Sequence, residues 1–201
     1  MTPTIYVLFS DTNSWWSGPI KWVTDGLWGH VAVIFQDENG VRRPFEAVVE
    51  SGVTESPMSK FRDQAADPKK RIVIVELSPS EFGYGPAQWA RALKYAENSV
   101  GKRSYATWQL GSMLFFEAFH IPFKKSANKV VCSEFVSRAL EVAGIYDCRG
   151  IRNPTHDTVN PGSLWARIAE KVGGVNQYTS RNAERGMLPL HPLLADVSTS
   201  P

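Results

Sequence analysis

Cysteine is scarce in this chain, two residues in 201. Cys132 and Cys148 are too few for the disulfide framework of a small secreted scaffold. Neither has a second ligand at metal-site spacing, so no metal and no cofactor is expected. Free thiols in a reducing compartment follow, with the cytoplasm as the default location. Long apolar runs are also missing: none approaches the ~20 residues needed to cross a bilayer. The opening "MTPTIYVLFSDTNS" lacks a basic leader followed by an apolar stretch and a small-residue cleavage site, so it reads as a first strand rather than an export signal. Charge of one sign is not in excess, the net value being +2. The basic clusters Lys69-Lys70-Arg71 and Lys124-Lys125 are short solvated loop ends, not the stripe that a nucleic-acid binder presents. Internal repeats are absent too, which excludes solenoids and propellers.

What is present is a core. With 43% apolar and 21% charged residues, the chain can bury a substantial interior and reads as one compact, soluble domain. Its organisation is continuous over residues 1–170. Residues 171–201, ending in the Pro-rich "GMLPLHPLLADVSTSP", read as a wrapped tail or peripheral extension of that domain.

The runs "TIYVLFS" and "HVAVIF" are β-branched and aromatic and are bounded by turn residues. "DENG" after the second is a turn into "VRRPFEAVVES", which makes a hairpin. "RIVIVEL" alternates with period two as a third strand. "PAQWARALKYAENSVG" predicts a helix with Trp89, Ala90, Leu93 and Ala96 on its packed face, Pro86 at its start and Gly101 after its end. "SYATWQLGSMLFFEAF" reads as a further helix interrupted by Gly111. In "KVVCSEFVSRAL" and the residues after it, Phe135, Val136, Ala139, Leu140 and Ala143 recur at helical spacing, and Gly144 is the stop. The fold class is α+β.

Cys132 therefore sits in the first turn of a helix. Unpaired N–H groups and the positive dipole end there lower a thiol's pKa toward the nucleophilic thiolate. A cysteine after two valines is more often a small buried hydrophobe, so its partners decide. A thiolate nucleophile needs a base held by a third group. Of the four histidines, His120, His156 and His191 fall in presumed loops or the tail. His30 alone opens a strand. A hairpin closed near residues 38 and 39 pairs positions whose numbers sum to about 76 to 78. That puts Glu46, or the residue two along, opposite His30, with Glu50 as the rival of equal parity.

Successive blocks carry a resemblance: "WSGPIKWVTDGLWGHVAVIF", "FEAVVESGV", "GKRSYATWQLG", "VVCSEFVSRALEVAG" and "NPGSLW". Over residues 5 to 168 they resemble the circularly permuted NlpC/P60 group of papain-like cysteine hydrolases, the YiiX/YaeF-like family. The histidine strand precedes the cysteine helix, which is the permuted order. The resemblance implies a papain-like fold with a mostly antiparallel sheet packed against helices. It also implies Cys132 as nucleophile, His30 as general base and acid, and Glu46 as the third, polar member. Tyr105 of the "GxxxY" segment would set its hydroxyl near the reacting centre, or simply pack the helix start. The segment from Tyr105 to Cys132 is longer than in typical unpermuted members.

The implied chemistry is acyl transfer through an acyl-thioester, as in a cysteine amidase or peptidase acting on peptides of cell-wall type. A thioesterase or acyltransferase acting on lipid acyl groups is the alternative, and a non-catalytic papain-like binding or structural module a third. Trp15, Trp16, Trp22 and Trp28 stand before His30 and read as core aromatics or as the wall of an apolar groove. The sequence points to no particular protein partner.

Overall fold

The computed structural model of the chain describes residues 1–11, 28–67, 69–105, 129–146, 159, 161–171 and 178–179. The sequence-predicted helix after Tyr105, Cys148, the histidines at 120, 156 and 191, and the Pro-rich tail lie outside them. So do Trp15, Trp16 and Trp22.

Six strands form one antiparallel sheet: β1 (Thr4–Asp11), β2 (His30–Gln36), β3 (Arg42–Val48), β4 (Gly52–Glu55), β5 (Arg71–Leu77) and β8 (Tyr178–Thr179), in the order β4-β3-β2-β1-β5-β8. Helix α1 (Met58–Ala66) joins β4 to β5. Between β5 and the cysteine helix run α2 (Pro79–Phe82), α3 (Pro86–Ser99) and a small parallel pair, β6 (Ser104–Tyr105) with β7 (Lys129–Val130). Helices α4 (Cys132–Val142) and α5 (Pro161–Lys171) follow. Strand β8, from the segment expected to be a peripheral tail, adds to the edge of β5. Among the described residues no helix is long and apolar enough to cross a membrane.

Both faces of the sheet are covered. Ile5, Val7, Phe9, Val31, Val33, Phe35, Val73 and Val75 share a core with α3, α4 and α5. The alternate residues Tyr6, Leu8, Ala32, Ile34, Ile72 and Ile74 pack on Phe61 and Ala65 of α1. Coverage on two sides explains why the central strands are near-continuous apolar runs. "RIVIVEL", with the alternation of a one-faced strand, is in fact buried from Ile72 to Val75. Trp28 belongs to the core: its ring lies 6.0 Å from Phe9 and 5.3 Å from Trp165.

Local chemistry sets the β2–β3 register. Asp37 Oδ1 accepts hydrogen bonds from the backbone of Asn39 and Val41 at 2.9 and 2.8 Å, and Gly40 takes φ 80°. The left-handed Gly40 lengthens the loop to three residues, the pattern of a hairpin closed by a bulge. Ala32 consequently pairs with Glu46. This is the wide end of the expected range, so Glu46 is diagonal to His30 rather than directly opposite.

Two elements differ from the sequence reading. The strand after the turn ends at Val48, and Gly52 (φ 73°) opens the separate strand β4. Its outer edge is capped by backbone bonds between Val53 and residues 101 and 103. On α3 the buried ridge is Ala92, Ala96 and Ser99, flanked by Trp89 and Leu93, whereas Ala90 is exposed. At 100° per residue, position 90 falls off the 89-92-93-96 stripe.

Tyr84, 4% exposed, pins β1 to β5. Its hydroxyl accepts from Ile5 N–H at 2.9 Å and donates to the Leu77 carbonyl at 2.5 Å. Tyr84→Phe keeps the ring but strands both backbone groups in the interior. Each costs about 1–3 kcal/mol, so urea unfolding should show a loss of about 2–6 kcal/mol with an unchanged denaturant slope. A loss below about 0.5 kcal/mol would mean that the strands do not depend on this hydroxyl.

Candidate active site

The site forms where the first residue of β2 meets the first residue of α4. Val131, extended at φ −93° and ψ 160°, ends the run from β7, and Cys132 opens the helix. Phe135 N–H bonds the Val131 carbonyl at 3.0 Å, and Ser133 Oγ donates to the Val159 carbonyl at 2.5 Å, which moors the first turn. At the other end Gly144, at φ 83°, allows Ile145 N–H to reach the Leu140 carbonyl at 2.9 Å. That left-handed closure is the stop its glycine predicts. The helix is buried on almost every side, Phe135, Val136, Ala139, Leu140 and Ala143 included. Cys132 is 3% exposed and is a free thiol.

Strand alternation puts His30 with Ala32 and Ile34 on the α1 side, while Cys132 packs in the core of the opposite side. They meet because His30 stands at the rim, where β2 begins. His30 Nε2 lies 2.7 Å from Glu46 Oε2. With Nε2 so engaged, Nδ1 is the ring nitrogen left to face the thiol, with which His30 interacts electrostatically. Glu46 is fully buried. Its other oxygen, Oε1, accepts from Ser56 Oγ and from Lys60 Nζ, the latter at 2.5 Å.

Burial and pairing compete in each ionisation. Burial, the strongest influence on His30, disfavours its charge, but hydrogen bonds and opposite charge from Cys132 and Glu46 outweigh it and lift the imidazole to about 10. Burial likewise pushes the Cys132 thiol up. Its hydrogen bond to His30, the imidazolium charge and backbone bonds from Val31 and Ser133 overcome that and bring it below the ordinary thiol range. Burial of Glu46 favours the neutral acid, yet His30, Lys60 and Ser56 together hold it ionised, with a pKa of about 2. Glu46 is a carboxylate and His30 an imidazolium at neutral pH, and both the imidazolium and the backbone bonds favour the thiolate form of Cys132.

The four site residues expected from the sequence fare differently. Cys132, His30 and Glu46 come together. The backbone of Tyr105 pairs with Val130, two residues ahead of Cys132, which brings strand β6 alongside the approach to the helix. Glu50 is exposed in the turn after β3, away from the ladder that carries Glu46. Ser56 and Lys60 carry no sequence signal. A lysine on a mostly polar helix is ordinarily a solvated one, and its carboxylate partner is on another element. Among the described residues no group of three or more His, Cys, Asp or Glu side chains could hold a metal ion.

An antiparallel sheet with helices on both faces, its histidine strand ahead of its cysteine helix, defines the molecule as an α+β protein of papain-like fold, the class expected from the sequence. Among solved structures it is similar to that of the metalloprotein YiiX from Escherichia coli O157:H7. The TM-score is 0.53 over 86% of this chain and 83% of that one, at 21% sequence identity, a likeness of fold. No protein-family model and no curated protein sequence matches the chain.

Proposed function

We propose that the chain is a cysteine-dependent hydrolase that cleaves an amide, of peptide or cell-wall-peptide type, through an acyl-thioester. The observation that carries the reading is the series Glu46–His30–Cys132, buried at both ends and with the thiol at a helix N-terminus. In this mechanism the Cys132 thiolate attacks the substrate carbonyl carbon, and the oxyanion develops beside the first backbone N–H groups of α4. The imidazolium of His30 gives its proton to the departing amine as the C–N bond breaks, leaving an acyl-thioester on Cys132 and neutral His30. Water then loses a proton to His30 as it adds to the thioester. The acid departs, and the thiolate–imidazolium pair is restored. Glu46 holds the ring by Nε2 and supports its positive charge. Tyr105 is proposed to direct its hydroxyl toward the same centre.

The fold neighbour is termed a metalloprotein. In this chain Nε2 of His30 and both oxygens of Glu46 are already engaged, which leaves one imidazole nitrogen and one thiolate as described donors. That set does not fit a bound metal, and no step of the mechanism runs through one. The reading takes residues 1–170 as the catalytic unit with 171–201 as its extension, working in a reducing compartment such as the cytoplasm, where Cys132 stays free.

Incubation with a panel of peptide amides and lipid esters tests the reaction class. Release of amine from the amides, with a thioester adduct of Cys132 trapped at low pH and seen by mass spectrometry, is the expected result. Turnover of lipid esters alone would reassign the chain to the thioesterases or acyltransferases. No turnover and no labelling of Cys132 by a thiol-directed acyl probe would make it a binding module.

A further inference from the structure

The site does not end at its third member. Glu46 lies 1% exposed at the side chain, whereas Lys60, whose Nζ is 2.5 Å from Oε1, is 35% exposed at its own. Lys60 comes from α1, on the side of the sheet opposite the core that holds Cys132. The charged groups facing one another are therefore Lys60 from α1, Glu46 from β3, His30 from β2 and Cys132 from α4, with Ser56 supplying a neutral donor. With the thiolate formed, Glu46, His30 and Cys132 sum to one negative charge in a largely water-excluded place. Lys60 makes the four-group series neutral. An exposed lysine–carboxylate pair contributes little, but here one partner is wholly buried, so losing the cation leaves a buried charge short of compensation.

We propose that Lys60 is a positioning residue of this site: from the far face of the sheet, its ion pair with Glu46 balances the Glu46–His30–Cys132 series and so favours the thiolate form of Cys132. The inference rests on the reading of Cys132 as the nucleophile. Its sign is definite. Removing a positive charge raises the pKa of every neighbouring group, so without Lys60 the thiol ionises at higher pH and the imidazolium persists to higher pH. A lysine that served only to pack α1 against the sheet would change stability or total activity and leave both pH limbs in place.

The test is the pH profile of Cys132 alkylation by iodoacetamide, followed by peptide mass spectrometry on the full chain, for wild type, Lys60→Met and Lys60→Arg. In Lys60→Met the acid limb should move up by about 0.5 to 1 pH unit, a three- to tenfold slower reaction on that limb, as expected for a charge several ångströms away at an effective dielectric near 20. Lys60→Arg, which keeps the charge, should overlay wild type. If Lys60→Met does not fold, folded wild type and folded Lys60→Arg are both acetylated on their lysines. The two then differ in charge at position 60, and the same shift is expected between them. Limbs that coincide in whichever comparison folds overturn the role of Lys60. If instead wild-type Cys132 reacts no faster at pH 6 than a free thiol, the nucleophile reading fails, whatever Lys60 does.

Discussion

Iodoacetamide should alkylate Cys132 well before Cys148, with the largest difference near pH 6. An ordinary thiol of pKa about 8.5 is roughly 0.3% ionised at that pH. The Cys132 thiol is held below the usual range by His30 and by backbone N–H groups despite its burial, so a larger fraction of it is thiolate. A low-pKa thiolate is intrinsically less nucleophilic, so the rate advantage is smaller than the gain in thiolate population, with an expected size on the order of tenfold or more. The reagent must be small, because the residue is only 3% exposed. Cys132→Ala should lower hydrolysis by on the order of 10³-fold or more, the loss typical when a covalent nucleophile is removed, without unfolding the helix that alanine suits.

The same ionisations set the pH dependence. Turnover needs the thiolate and the imidazolium together. It should rise as pH climbs through the lowered Cys132 pKa and fall as His30 loses its proton, near its raised value of about 10. His30→Ala removes the cation that offsets burial of the sulfur. Its thiol should then titrate above the ordinary range, and the rate advantage at pH 6 should vanish. Equal labelling of the two cysteines in wild type would return Cys132 to the buried hydrophobe that its valine neighbours also suggest.

The second large effect is expected at Glu46. Glu46→Gln is isosteric, but an amide cannot reproduce the contacts of the carboxylate, which accepts from His30 on Oε2 and from Ser56 and Lys60 on Oε1. With the amide oxygen toward His30, the amide NH2 confronts the Lys60 ammonium, donor against donor. With the amide reversed, the NH2 faces Nε2 and demands the tautomer whose proton sits on Nδ1, wrong for a base that must accept there. Either orientation also removes the charge that supports the imidazolium. Turnover should fall by about 10²- to 10⁴-fold, within the range seen when the orienting carboxylate of a triad is neutralised. Thermal melting should still be cooperative, though lower. Glu50→Gln, in an exposed turn, should be silent within about twofold in rate and about 0.5 kcal/mol in stability. A greater loss of activity at Glu50, with Glu46→Gln unaffected, would transfer the orienting role and leave Cys132 and His30 in place.

Much of this molecule is local in origin, and that part was legible in one dimension. Dense β-branched runs are strands, because a pleated sheet covered on both faces accepts apolar side chains at every position. Asp37 and Gly40 make a turn by side-chain capping and a left-handed φ. The 3.6-residue recurrence from Phe135 to Ala143, stopped by Gly144, makes the helix that begins at Cys132. His30 and Glu46 stood out as candidates because a hairpin of nearly known register confines a histidine and a carboxylate to adjacent strands.

What needed the tertiary structure is whatever depends on the path of the chain between elements. Whether the register stood at the tight or wide end of its range turned on one left-handed residue. Whether Glu46 or Glu50 stayed in the ladder turned on where β3 stopped. The exposure of Ala90 depended on which side of α3 the sheet occupies. Above all, Ser56 and Lys60 lie in a segment whose composition is that of a solvated surface, and only the crossing of α1 over the sheet carries them to the buried oxygen of Glu46. Periodicity and propensity act over a few neighbouring residues, whereas the balance of charge in a buried series is set by groups that meet through space.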